Sequence, residues 1–168
     1  TGSSSSNLAV SYVSSDETVA TVSWSTVTIV GAGTTTITAS QVGDDNYNAA
    51  SDAVQTLTVN KVDQTITFTA LTDKTFGDTS FDLSASASSS LAVSYVSSDE
   101  TVATVSGSTV TIVGAGTTTI TASQVGDDNY NAASSTQDLT VGKADQTITI
   151  TSIADKVITD TSIEVEAS

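Results

Sequence analysis

The sequence contains no cysteine, histidine, arginine, proline or methionine in its 168 residues. Without cysteine and histidine, the chain can form no disulfide, no thiolate nucleophile, no Ser-His-Asp triad and no zinc finger. Its longest apolar runs are only a few residues, which excludes a membrane-spanning helix and the hydrophobic region of a signal peptide. The absence of an initiator methionine suggests a fragment or a mature segment of a longer chain.

Positive charge is also scarce, because four lysines stand against 19 carboxylates and the net charge is −15. Such a chain cannot form a phosphate-binding patch, so we expect no nucleic-acid partner and no membrane insertion. Asp44 and Asp45 form a carboxylate pair, but adjacent loop residues do not face each other across a sugar ring. We therefore expect the chain not to be an enzyme and to require no cofactor.

The residues that are abundant favour β-structure. The sequence has 20 valines, 10 isoleucines and 32 threonines, and these β-branched side chains suit a pleated surface. They occur in short alternating runs separated by glycine, asparagine, aspartate and serine. This pattern is typical of an all-β fold.

The chain is also an internal repeat. Residues 8–51 recur as residues 91–134 with 43 of 44 positions identical, and the exception is Trp24 opposite Gly107. The offset is 83 residues in this region and 82 residues further along, where Lys61 aligns with Lys143. A period of this length is too long for a solenoid repeat and matches one small β-sandwich domain.

The repeat divides the chain into three segments. Residues 1–60 are a partial unit with strands C to G, residues 63–142 are a complete unit, and residues 143–168 are a partial unit with strands A and B. Seven strands are predicted in the complete unit, at 64–69, 80–87, 91–96, 101–105, 109–113, 117–125 and 138–141. Their number and spacing predict tandem immunoglobulin-like, seven-stranded β-sandwiches.

Three stretches of the complete unit carry a family resemblance. Residues 93–105 and 114–122 resemble the group 2 bacterial Ig-like domains of the invasin and intimin type. Residues 126–133, with the sequence Gly-Asp-Asp-Asn-Tyr-Asn-Ala-Ala, resemble the segment between strands F and G in similar tandem repeats of giant bacterial surface and gliding adhesins. The resemblance implies a stalk or extender repeat of a long bacterial adhesin, at the cell surface or secreted. Its partners would be neighbouring repeats of the same chain, and it brings no catalytic residue.

Two other functions stay open at this point. Each repeat could bind a host or environmental glycan or protein weakly and gain affinity through avidity, with Trp24 as an exposed ligand contact. Alternatively, the chain could be a filament subunit, in which residues 143–168 complete residues 1–60 of the next chain by donor-strand exchange.

The loops between units also suggest a metal site. If the strands alternate in direction, the junction collects side chains with oxygen ligands from two loops and the short linker: Asp16, Glu17, Asp63, Asp127, Asp128 and Asn129. Calcium takes about six to eight oxygen ligands, so the sequence indicates a Ca²⁺ site between units. The alternative is that these acids are solvated and keep an acidic rod soluble.

Overall fold

The computed structural model describes residues 3–150 together with residues 152, 153, 155, 157 and 162. This part of the chain is all-β and contains no helix, so it also has none that could cross a membrane. The predicted all-β class is therefore confirmed. The strands are β1 (Ser11–Ser14), β2 (Ala20–Ser23), β3 (Thr26–Ile29), β4 (Gly33–Ser40), β5 (Ala53–Val59), β6 (Ile66–Phe68), β7 (Lys74–Thr75), β8 (Phe81–Asp82), β9 (Ala85–Ala87), β10 (Ser94–Ser97), β11 (Ala103–Ser106), β12 (Thr109–Ile112), β13 (Gly116–Gln124) and β14 (Ala133–Gly142).

The sheets fall into two groups that share no strand. Strands β6 to β14 lie in residues 63–142, called the central unit below, and strands β1 to β5 lie in residues 3–60, called the N-terminal unit. The central unit has a four-stranded sheet in the order β10-β13-β14-β7, a three-stranded sheet in the order β11-β12-β8, and the pair β6-β9. The N-terminal unit has the sheet β1-β4-β5 and the pair β2-β3.

The core of the central unit lies between its sheets. Along β13 every second side chain is buried, as the two-residue period of a strand requires, and Ile120 and Ala122 are fully enclosed. Leu139 of β14 and Val110 of β12 reach the same cluster from either side. Phe68 of β6 closes it, with its ring centroid 5.8 Å from that of Tyr95.

A buried threonine at the same position of each unit has hydrogen-bond partners for its hydroxyl. The hydroxyl of Thr118 lies 2.8 Å from the hydroxyl of Ser97 and accepts a 3.0 Å hydrogen bond from the backbone N–H of Asp99. Thr35 makes the equivalent contacts with Ser14 and with the N–H of Asp16. These bonds tie the turn after β10, and the turn after β1, to the neighbouring long strand.

Three elements of the central unit differ from the sequence expectation. The strand predicted at 80–87 is divided into β8 and β9, which join different sheets. The strand predicted at 138–141 begins at Ala133, because β14 pairs with β13 along its whole length. Strand β7 was not predicted; it is two residues long and pairs in parallel with the end of β14.

The N-terminal unit has the same strand pairing as the central unit, but none of its described residues forms strands that correspond to β6–β9. Tyr12 lies opposite Ala39 as Tyr95 lies opposite Ala122, so the register is the same. However, Val27 is 41% exposed, whereas its repeat equivalent Val110 is fully buried. Residues 25–51 are identical to residues 108–134, and the central unit has in addition the strands β6 to β9, to which nothing corresponds among the described residues of the N-terminal unit.

This difference predicts unequal costs for one substitution made at two equivalent positions. Val110→Ala removes buried methyl groups and should destabilise the central unit by about 1–3 kcal/mol. Val27→Ala should cost well under half of that. Amide hydrogen exchange along β13 and β4 would measure both, and equal losses of protection would contradict the difference in packing.

Candidate functional site

The linker between the two units is held by the loop between β13 and β14 (residues 125–132). The backbone N–H of Val62 donates to the carbonyl of Asn129 at 2.8 Å, and the N–H of Asn131 donates to the carbonyl of Val62 at 2.9 Å. Val62 and Tyr130 consequently form a parallel β-bridge. The linker is therefore paired to the central unit before β6 begins, and it is not a free tether.

A side chain of the same loop reaches across to the N-terminal unit. The Oδ1 atom of Asn129 accepts a 2.9 Å hydrogen bond from the backbone N–H of Ala32, which lies between β3 and β4. A Cβ atom at the preceding Gly31 would lie 3.2 Å from this Oδ1 and 2.9 Å from the carbonyl oxygen of Thr18. The absence of a side chain at residue 31 thus allows the two units to approach.

The loop that carries Asn129 is held by hydrogen bonds within the loop and from the linker. The Oδ1 atom of Asp127 accepts 2.8 Å hydrogen bonds from the N–H groups of Asn129 and Tyr130, which closes an Asx turn. The ammonium of Lys61 donates to the carbonyl of Asp127 at 2.6 Å, and Asp63 accepts from the amide nitrogen of Asn131 at 2.7 Å. Two linker side chains therefore fix the loop from the other side.

The predicted junction residues meet only in part. A cleft of about 550 Å³ between the units is lined by Asp16, Asp128 and Asn129, together with Thr18, Val19, Lys61 and residues 30–34. Glu17, Asp63 and Asp127 do not line it. Among the described residues no group of three or more acidic side chains could hold a metal ion, and the Oδ1 atoms of Asp63 and Asp127 already accept hydrogen bonds. Calcium binding here stays a prediction.

A buried glutamine pair anchors the start of the central unit and was not singled out from the sequence. The amide nitrogen of Gln64 donates at 2.6 Å to Oε1 of Gln124 and to the carbonyl of Asn131. Its own Oε1 accepts from the hydroxyl of Ser89 at 2.5 Å. Because both glutamines are less than 10% exposed, these bonds fix the linker end at a defined place on the sandwich.

Trp24 lies away from this junction, on the turn between β2 and β3. Its side chain is 93% exposed, and its φ of 56° is in the left-handed region that disfavours a bulky residue. Gly107, its equivalent in the central unit, has nearly the same φ of 61°. The backbone of the turn is therefore the same in both units, and only the N-terminal unit presents an aromatic ring there.

The comparisons with known proteins leave the family resemblance untested. No protein-family model matches the chain, and no curated protein is significantly similar to it. The Ig-like assignment and the function that it implies therefore remain proposals.

The carboxyl group of Asp16, which lines the cleft, has a lowered pKa, and its cause can be tested. The hydroxyl of Thr18 donates to Oδ1 of Asp16 at 2.6 Å, and its N–H donates at 2.9 Å, so these bonds lower the pKa of Asp16. Thr101 does the same for Asp99 in the central unit. Thr18→Val should therefore raise the pKa of Asp16 while that of Asp99 stays the same, as measured by NMR titration of the carboxyl carbons.

The same variant should show a pH-dependent stability loss. A carboxyl pKa that is lower in the folded than in the unfolded chain stabilises the fold above its unfolded value, and this contribution disappears as the pH falls through the folded value. The melting temperature of Thr18→Val should therefore be lower than that of the unsubstituted chain at neutral pH, and this difference should become smaller below about pH 4. A deficit that grows on acidification would show that the hydroxyl acts through something other than Asp16.

Proposed function

We propose that this chain is a structural spacer, a stalk or extender repeat of a long bacterial cell-surface or secreted adhesin, built from immunoglobulin-like units. Its role is to hold a distal binding region at a distance from the cell. The junction is the observation that carries the proposal. The linker has four residues, 60–63, and three of them hydrogen-bond to the loop that also contacts the preceding unit.

A junction of this kind is suited to a spacer, because it restricts how neighbouring units reorient. A flexible linker lets neighbouring domains reorient, so that added repeats increase the reach of a chain only as the square root of their number. A junction fixed by backbone pairing and by the bond from Ala32 to Asn129 restricts reorientation, so reach grows in proportion to the number of units. The high net negative charge of −15 supports the same role, because it opposes lateral association of such rods.

The proposal predicts a narrow distribution of distances between the units. The chain has no native cysteine, so spin labels at Thr28→Cys and Thr111→Cys would report only on these two exposed positions of β3 and β12. Pulsed electron paramagnetic resonance should give one narrow distance peak. Asn129→Ala removes the acceptor for the N–H of Ala32 and should broaden the peak measurably, because the units then pivot about the linker.

The repeat itself supplies the control for this experiment. Asn46 is the equivalent of Asn129 but lies in the N-terminal unit, in the loop between β4 and β5. Asn46→Ala should leave the distance distribution unchanged, and Asn129→Asp, which retains an acceptor oxygen, should broaden it less than alanine does. A broad distribution in the unsubstituted chain would overturn the spacer proposal.

A second function, weak glycan binding, is favoured by the position of Trp24. Its ring is almost fully exposed on a turn whose left-handed backbone a glycine would adopt with less strain. Exposed aromatic faces stack on sugar rings, and a weak site of this kind would gain from repetition along an array.

Trp24→Gly distinguishes this second function from a neutral substitution at a loop tip. If the tryptophan is a ligand contact, its loss should abolish glycan-array signal while stabilising the N-terminal unit by about 1 kcal/mol, since glycine tolerates a positive φ. The central unit, which has Gly107 at this place, provides the reference for a turn without a ring. Glycan signal that survives the substitution unchanged would remove the second function.

A further inference from the structure

The first and the last segment of the central unit run side by side in the same direction. Residues 62–76, called the entry segment below, lie beside residues 129–142, called the exit segment. Val62 forms a parallel bridge with Tyr130 at one end, and β7 pairs in parallel with the last residues of β14 at the other. The two segments therefore begin next to each other and end next to each other.

Hydrogen bonds join the two segments where they begin. The N–H of Val62 donates to the carbonyl of Asn129 at 2.8 Å, and the N–H of Asn131 donates to the carbonyl of Val62 at 2.9 Å. The amide nitrogen of Gln64 donates to the carbonyl of Asn131 at 2.6 Å. Because Gln64 is buried, this last bond is shielded from competing water.

A side chain bridges the two segments in the middle. There the entry segment belongs to a different sheet, because β6 pairs with β9. Gln137 of β14 spans the gap, and its amide nitrogen donates to the carbonyl of Phe68 at 2.9 Å. Since the ring of Phe68 is part of the core cluster, this bond also connects the exit segment to the packed interior.

Backbone pairing joins the two segments again where they end. Strand β7 lies opposite the last two residues of β14, Val141 and Gly142. The N–H of Phe76 then donates to the carbonyl of Gly142 at 2.9 Å. The hydrogen bonds between the entry and exit segments are thus distributed along their whole length.

The shared direction of the two segments determines how these bonds respond to tension. Tension along the chain pulls the entry segment at its beginning and the exit segment at its end, so the segments are forced to slide past each other. Bonds loaded in this way carry the force together, and several must break in one step. An antiparallel pair pulled apart at adjacent ends instead loses its bonds one after another. Strands β13 and β14 are such a pair, with Gly116 opposite Val141.

We propose that the central unit bears tension, and that the hydrogen bonds between its entry and exit segments form a mechanical clamp. The inference concerns contacts within residues 62–142 and does not rest on the spacer function. Resistance to pulling is governed by the rate of unfolding under load, which depends on the bonds that the force reaches first. The clamp therefore makes the lifetime of the unit depend on the direction of the force, at an unchanged free energy of unfolding.

Single-molecule pulling of the full chain in two directions tests the clamp. The chain has no native cysteine, so paired cysteines at exposed positions can carry DNA handles for optical tweezers. Asn60→Cys with Lys143→Cys loads the two segments in shear, whereas Ala115→Cys with Lys143→Cys separates β13 from β14 at one end. At equal force the central unit should survive about tenfold longer or more in shear, the factor expected when at least one additional hydrogen bond must break in the same step. Equal lifetimes, or a shorter lifetime in shear, would overturn the proposal.

Gln137→Ala separates the clamp from overall stability. Loss of the bond to Phe68 should shorten the lifetime in shear by about three- to tenfold, and the lifetime in the other direction by less than about twofold, because this bond is not at the end where β13 and β14 separate. Gln55→Ala is the matched control, because Gln55 is the repeat equivalent of Gln137 and lies outside the loaded path. It should leave both lifetimes unchanged. Equal losses in both directions for Gln137→Ala would overturn the clamp, because the glutamine would then act only on overall stability.

Discussion

Covering one apolar sheet face is the constraint on which this structure depends. The central unit shows a covered face, where Phe68 and Leu83 complete a core in which Val110, Ile120 and Leu139 are fully buried. In the part of the N-terminal unit that the structure describes, nearly the same sequence has no such cover, and Val27 is 41% exposed. Hydrophobic burial, which is the main driving force of folding, is thus determined here by which strands are present and not by the composition of the strands they cover.

The second organising feature is the use of backbone groups in the junction between the units. Its contacts use backbone N–H and C=O groups together with the side chains of Lys61, Asp63, Asn129 and Asn131. Asp127 accepts hydrogen bonds within its own loop. Backbone groups supply directional bonds that do not depend on the charge of the surroundings. This suits a chain with a net charge of −15, in which an interface built on carboxylates alone would repel itself.

Local signals in the sequence were sufficient for some strands and not for others. The hairpin of β11 and β12 was recognised because Gly107 marks a tight turn with a positive φ between two short alternating runs. Strand β7 was missed because its two residues are held only by a distant parallel partner. In the junction, Asp16, Asp128 and Asn129 line one cleft, whereas Glu17, Asp63 and Asp127 do not. The donor to Asn129 is a backbone N–H, which no side-chain pattern reveals.

The repeat has a further consequence for how such a junction could be propagated. Ala115 is the equivalent of Ala32, and Asn46 is the equivalent of Asn129, so the N-terminal unit carries an acceptor side chain at one end and the central unit a donor N–H at the other. An interface whose two halves lie at opposite ends of every unit is heterologous, and it extends without closing unless a rotation brings the ends together. Near-identity of the units therefore favours a linear array with one repeated geometry.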